Sequence, residues 1–161
     1  MKDLATEAAI YGVVLVAGLV AAVGEAAEAS WDVFVKVCVT VLVMWTAHLY
    51  AGVVAHLGDE RDSAATFRQR LGHATHDALV HSRGMLIASI LPLAVLLLGH
   101  FGVLTDEQAV WAALWLCVGL LGLLGYAKIA VWARSRWLCL ASGAVSAALG
   151  VVLVLLKLSV H

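Results

Sequence analysis

Five apolar runs, each nearly free of charge, limit what this chain can fold into: Ala5 to Val23, Val33 to Leu57, Met85 to Leu104, Ala109 to Val131 and Leu138 to Leu156. A helix rises about 1.5 Å per residue, so each run is about long enough to cross a hydrocarbon slab roughly 30 Å thick. The pattern predicts an all-α, polytopic transmembrane helix bundle with five spanning helices. Only 13% of the 161 residues are charged and 63% are hydrophobic, against about 25% charged in ordinary soluble domains. That leaves too little polar surface for a water-soluble globule, and the reading is a single membrane domain over residues 1–161.

Between the runs, only Gly58 to Gly84 is long enough to hold another element. Asp62 or Ser63 offers a helix cap, and Phe67, Leu71, Ala74 and Ala78 recur at spacings of four, three and four. Arg68, Arg70, His73 and Asp77 fall mostly off that stripe. The pattern predicts one cytoplasmic amphipathic helix, about 62–80, lying on the headgroups or beneath the bundle. Gly84 is the expected break before the third span.

The connections sort by sign. Gly24 to Asp32 carries Glu25, Glu28 and Asp32, and Gly99 to Glu107 carries Asp106 and Glu107, with no Lys or Arg in either. The alternate connections hold Arg61, Arg68, Arg70 and Arg83, then Lys128, Arg134 and Arg136. Positive residues stay inside, which predicts a multi-pass protein of the cell (inner) membrane, N-terminus cytoplasmic and C-terminus outside. Trp31, Trp111 and Trp115 fit the outer interface, and Trp132 and Trp137 the inner one. An alternative reads the first run as a signal peptide cut after Ala27-Glu28-Ala29. Asp3 and Glu7 oppose it, because a signal peptide opens with net positive charge.

Small residues mark packing faces. Ala17 and Ala21, and Gly18 and Ala22, sit four apart in the first run; Ser142, Ser146 and Gly150 repeat the device in the fifth, and Gly119, Gly122 and Gly125 stand in the fourth. Helices in lipid associate through such faces. The lipid bilayer is the first partner, and a homo-oligomer with the first or fifth helix at the contact is expected. Pro92 predicts a kink, with Ser89 placed to satisfy a freed carbonyl. Cys38, Cys117 and Cys139 all lie in apolar runs and read as small hydrophobes. A net charge of −1 argues against nucleic acid as a partner.

Two features carry candidate chemistry. His48 lies within the second run, with Thr46 nearby and Gly52 and His56 further along its face. A charged imidazole is costly in lipid, so His48 is expected neutral or turned to other helices. Such a face suits a proton or monovalent-cation pathway; a histidine joining two helices by one hydrogen bond is the plainer alternative. The second is His73-x-x-His76-Asp77-x-x-x-His81, whose side chains recur on one helical side. Zinc or another divalent metal is the cofactor this stripe would take, and a solvated polar face or a pH sensor are the alternatives. No Gly-rich phosphate loop, G-x-S-x-G or H-E-x-x-H occurs, and no enzyme is expected.

Ala9-Ile10-Tyr11-Gly12-Val13-Val14, Trp45-Thr46-Ala47-His48 and Leu91-Pro92-Leu93 together resemble the small prokaryotic potassium channels that lack a T-V-G-Y-G filter. That family opens its first helix with F-S-D-G; here Ile10 and Tyr11 precede Gly12 and no Asp is present. The same segments also resemble small actinobacterial integral membrane proteins. The channel resemblance implies a tetramer whose first helix lines the pore, with Gly12 and His48 as the implicated positions. The functional expectation is a small oligomeric ion channel or ion-coupled transporter with an intramembrane histidine. The alternative is a non-transporting scaffold or sensor whose cytoplasmic histidine-bearing helix binds metal, lipid or a partner.

Overall fold

The computed structural model describes residues 7–24, 29–59, 67–130 and 135–159. These form five helices and, among the described residues, no strand: α1 (Glu7–Val23), α2 (Ser30–Asp59), α3 (Phe67–His100), α4 (Asp106–Ala130) and α5 (Arg136–Ser159). The expected cap at Asp62 or Ser63, the loop charges Glu25, Glu28, Arg61 and Arg134, and Trp132 lie outside the described residues.

Each of α2 to α5 carries a segment long and apolar enough to cross a membrane, the architecture of a multi-pass membrane protein. α1 is apolar but has 17 residues, about 26 Å of helix, so the expected fifth span is the shortest element. The surface is inverted relative to a soluble bundle. Val43, Ile90, Leu123 and Val145 are more than half exposed, whereas Ser82 and Ser89 are buried. Water does not tolerate apolar exposure on that scale; lipid does.

α1 occupies the middle and touches all four other helices. Its buried residues, Ala8, Ala9, Gly12, Val13, Val16, Ala17, Val20 and Ala21, form two adjacent rows at i, i+4 spacing. Small and β-branched side chains in those rows let neighbouring backbones approach, and lipid-embedded helices cohere by that close packing. Gly12 shows how close: a Cβ there would lie 2.9 Å from the carbonyl oxygen of Met85 on α3.

The separate amphipathic helix expected over 62–80 is not a separate element. α3 runs 34 residues without the break expected at Gly84. The reason is one unbroken stripe: Ala74, Ala78, Ser82, Met85, Ser89, Pro92 and Leu96 are all buried, at spacings of four, four, three, four, three and four. Gly84 lies inside a helix whose packed face never lapses, so its weak propensity is overridden. The first two of these residues belong to the sequence stripe, and Leu71 does not, being 38% exposed. Pro92 also lies within the helix. Ser89 does not relieve the carbonyl that proline frees at Ala88; its Oγ donates to Met85 O at 2.7 Å.

α2 and α3 pair as an antiparallel hairpin. Gly52 faces Ala78, Trp45 reaches Ser82, and Ser30 abuts Gly99. With Gly12 of α1 against Met85, the start of α1 is level with about residue 80 of α3. The hairpin therefore continues beyond α1 by roughly 20 Å.

α3 ends earlier than the apolar run, at His100 rather than Leu104. Gly102 takes φ +73, its N–H donates to Gly99 O at 3.0 Å, and the Val103 N–H donates to Leu98 O at 3.0 Å. This paired closure satisfies the last carbonyls and needs a left-handed residue that glycine supplies. α4 then opens on a reciprocal cap: the Gln108 N–H donates to Thr105 Oγ1 at 3.3 Å and the Thr105 N–H to Gln108 Oε1 at 3.2 Å.

The small residues of α4 and α5 face each other. Gly122 approaches Ala147 and Gly143, Gly150 sits on Val118, and Ser142 Oγ donates across the interface to Gly125 O at 3.0 Å. The α5 face expected at an oligomer contact thus closes an interface within the chain, as do Ala17 and Ala21 of α1. Gly18 has open space around it, and Ala22 is exposed.

Candidate functional site

The sequence-predicted pathway residues do not converge. Gly12 is buried against α3. His48 and Thr46 are exposed on α2, and the Thr46 hydroxyl donates to Leu42 O at 2.8 Å within its own helix. His56 lies further along the α2 backbone, and its side chain is outside the described residues.

His48 nevertheless has a defined setting. Its ring stacks on Tyr11 of α1, centroids 6.5 Å apart and planes inclined by 21°. The pair and Glu7 and Ala8 line a cavity of about 250 Å³. His48 is eighteen residues from Ser30, about 27 Å along α2. It is level with Glu7, at the first turn of α1, and near Arg83, which follows the Trp45 partner Ser82. His48 lies within Ser30–Ala55, the part of α2 that is long and apolar enough to cross a membrane.

The bundle axis is apolar and closely filled. Val13, Val16, Val20, Val37, Leu96, Leu114 and Leu121 fill it with at most 1% exposure each. The polar contact in this region that crosses from α2 to α3 is the Trp45 Nε1–H bond to Ser82 Oγ at 3.1 Å, and Ser82 Oγ in turn donates to Leu79 O at 3.3 Å. Sequence reading noted Trp45 but missed Ser82; the signal is a serine in phase with Ala74 and Ala78 on the packed stripe.

The histidine stripe lies on the projecting part of α3. His73, His76 and Asp77 are exposed, and His76 Nδ1 lies 3.5 Å from Asp77 Oδ1. Among the described residues no group of three His, Cys, Asp or Glu side chains is placed to hold a metal; the side chain of His81 is outside them. The stripe points away from α2, because Ala74 and Ala78 take the packed side.

At the opposite end the structure assembles a cluster that sequence reading missed. The Ser30 N–H donates to Asp106 Oδ1 at 2.9 Å, joining the starts of α2 and α4. Lys157 Nζ lies 4.8 Å from the ring centroid of Trp111, and Trp31 packs on His100 at 4.6 Å between ring centroids. Ser30, Asp106, Glu107 and Lys157 line a cavity of about 240 Å³ with Val33 and Val110. These polar residues come from three helices and are up to 127 residues apart, as from Ser30 to Lys157, so linear spacing gives no hint of them.

No protein-family model, curated protein or solved structure matches the chain.

Proposed function

We propose that this chain is a non-transporting membrane module: a sealed helical anchor that carries the α2–α3 hairpin into the cytoplasm as a contact element for headgroups or a partner. The observation that carries this reading is the apolar axis, where seven side chains from four helices leave at most 1% of their surface open. An ion would need polar groups at successive depths there. The projecting hairpin supplies the other half of the argument, because Arg68, His73, His76 and Asp77 all stand exposed on it. The basic residues Arg68, Arg83, Lys128 and Arg136 gather at the hairpin end, and Asp32, Asp106 and Glu107 at the other. That distribution supports a cytoplasmic N-terminus and an outer C-terminus.

A second reading, an oligomeric ion channel or ion-coupled transporter, is favoured by one observation. α2 leaves Leu42, Val43 and Tyr50 about half or more exposed beside Thr46 and His48. A second copy seated on that face would enclose both polar residues. Proteoliposome flux separates the two readings, with a potassium electrode and an internal pH dye as readouts. The module gives no flux above empty vesicles in wild type or His48→Ala. Wild-type flux that His48→Ala abolishes establishes the transporter and overturns the module.

A further inference from the structure

We propose that the cavity at the Ser30 end binds a small zwitterion, with its ammonium group on Asp106 and Glu107 and its anionic group on Lys157. The ligand class is a phosphoethanolamine ester, and the phosphatidylethanolamine headgroup is its source. The site is independent of the module reading above, since it lies at the other end of the bundle.

Four observations converge. First, the cavity presents both signs of charge at one mouth over an apolar floor of Val33 and Val110, and its volume of about 240 Å³ suits a headgroup-sized molecule. Second, acceptor capacity remains: the Ser30 N–H occupies Oδ1 of Asp106, and a carboxylate has about four lone-pair sites on two oxygens. Third, Ser30, itself 1% exposed, lines the cavity, and its hydroxyl makes no hydrogen bond of ordinary geometry, although it lies close enough to the Asp106 carboxylate to interact with it. A buried polar group without a partner is costly and uncommon in native proteins. Fourth, the aromatic rings of Trp31, His100 and Trp111 surround this end, the depth at which indoles meet headgroups. The Lys157 ammonium has three donors, so an anion adds to the contacts it already makes.

The chemistry predicts selectivity. Carboxylates accept hydrogen bonds from a primary ammonium, whereas the quaternary ammonium of phosphatidylcholine has no N–H to give. Phosphatidylglycerol offers an anion and no cation. The test uses the full chain, delipidated in detergent and titrated with each of the three lipids and with soluble O-phosphoethanolamine, read by native mass spectrometry. Wild type is expected to prefer phosphatidylethanolamine about tenfold, the scale of a charge-assisted hydrogen bond. Glu107→Gln should abolish the preference at unchanged melting temperature, whereas Lys157→Gln should weaken all three lipids alike, because each carries the phosphate. Glu107 is exposed, so its change leaves the Ser30–Asp106 bond intact. Competition of the soluble ester as strong as that of the lipid supports the site but moves its source to free ester; weaker competition supports the lipid. Equal binding of all three lipids, a preference that survives Glu107→Gln, or binding unchanged by Lys157→Gln overturns the proposal.

Discussion

Gly12→Ala and Gly18→Ala make the same change in the same helix, and the structure assigns them opposite outcomes. At Gly12 the new methyl carbon would lie 2.9 Å from Met85 O, 3.0 Å from Met85 Cα and 3.0 Å from Met85 Cγ. Two of those three atoms are backbone of a packed helix, so relief requires α1 and α3 to separate. At Gly18 nothing lies within 4 Å. Both substitutions gain the same helix propensity, about 1 kcal/mol, and the same loss of unfolded-state entropy. Those terms cancel in the difference between the variants, which leaves the overpacking cost at Gly12, about 1 to 3 kcal/mol. The assay is reversible unfolding in mixed micelles, followed by tryptophan emission. Gly12→Ala should be less stable than Gly18→Ala by that amount. Equal stabilities would refute the packing argument, and with it the central position of α1. A first helix lining an oligomeric pore would accept the methyl group at Gly12 without loss, so the same pair of variants bears on the channel resemblance.

Other outcomes follow from single contacts. A double-mutant cycle of Trp45→Phe and Ser82→Ala should give a coupling of about 0.5 to 1.5 kcal/mol for the α2–α3 hydrogen bond, within the range found for bonds between membrane helices; zero coupling would place the indole N–H elsewhere. Thr105→Ala removes one half of the reciprocal cap on α4 and should cost about 1 kcal/mol; Thr105→Ser should restore most of it, and a variant as stable as wild type would count against the cap. Gly125→Ala should destabilise the α4–α5 pair, because a Cβ there falls on Ser146, whereas Gly119→Ala meets open space and should be neutral or stabilising when measured in the same micelles. Zinc added to the purified chain should leave its melting temperature unchanged, since His73, His76 and Asp77 are not gathered into one set of three donors among the described residues; a metal-dependent rise abolished by His73→Ala would restore the metal reading.

Solvent class was legible in the chain. Long uncharged runs force helices, because a backbone in lipid must satisfy its own hydrogen bonds, and the runs matched α1, α2, α4 and α5 to within three residues at each end. The overshoot to Leu104 has a local cause. Phe101, Val103 and Leu104 are as apolar as the helix before them, and only the left-handed Gly102 tells the end. The division of the third helix at Gly84 failed for the opposite reason. A propensity minimum is a local signal, whereas the stripe from Ala74 to Leu96 is held by neighbours on α1 and α2.

Depth and partnership needed the folded chain. The run around His48 records that its neighbours are apolar, but only the folded register shows that Tyr11 and Glu7 of α1 share its level. Small-residue spacing announces close packing without saying which helix answers it; the answer was α3 for Gly12 and α4 for Ser142. The meeting of Ser30, Asp106 and Lys157 arises because three helix ends reach one level. That level depends on every helix length and tilt at once, and those are tertiary quantities. Composition and charge fixed the solvent and the order of the elements, since both are sums over neighbouring residues. The fold alone chose which distant residues share a depth.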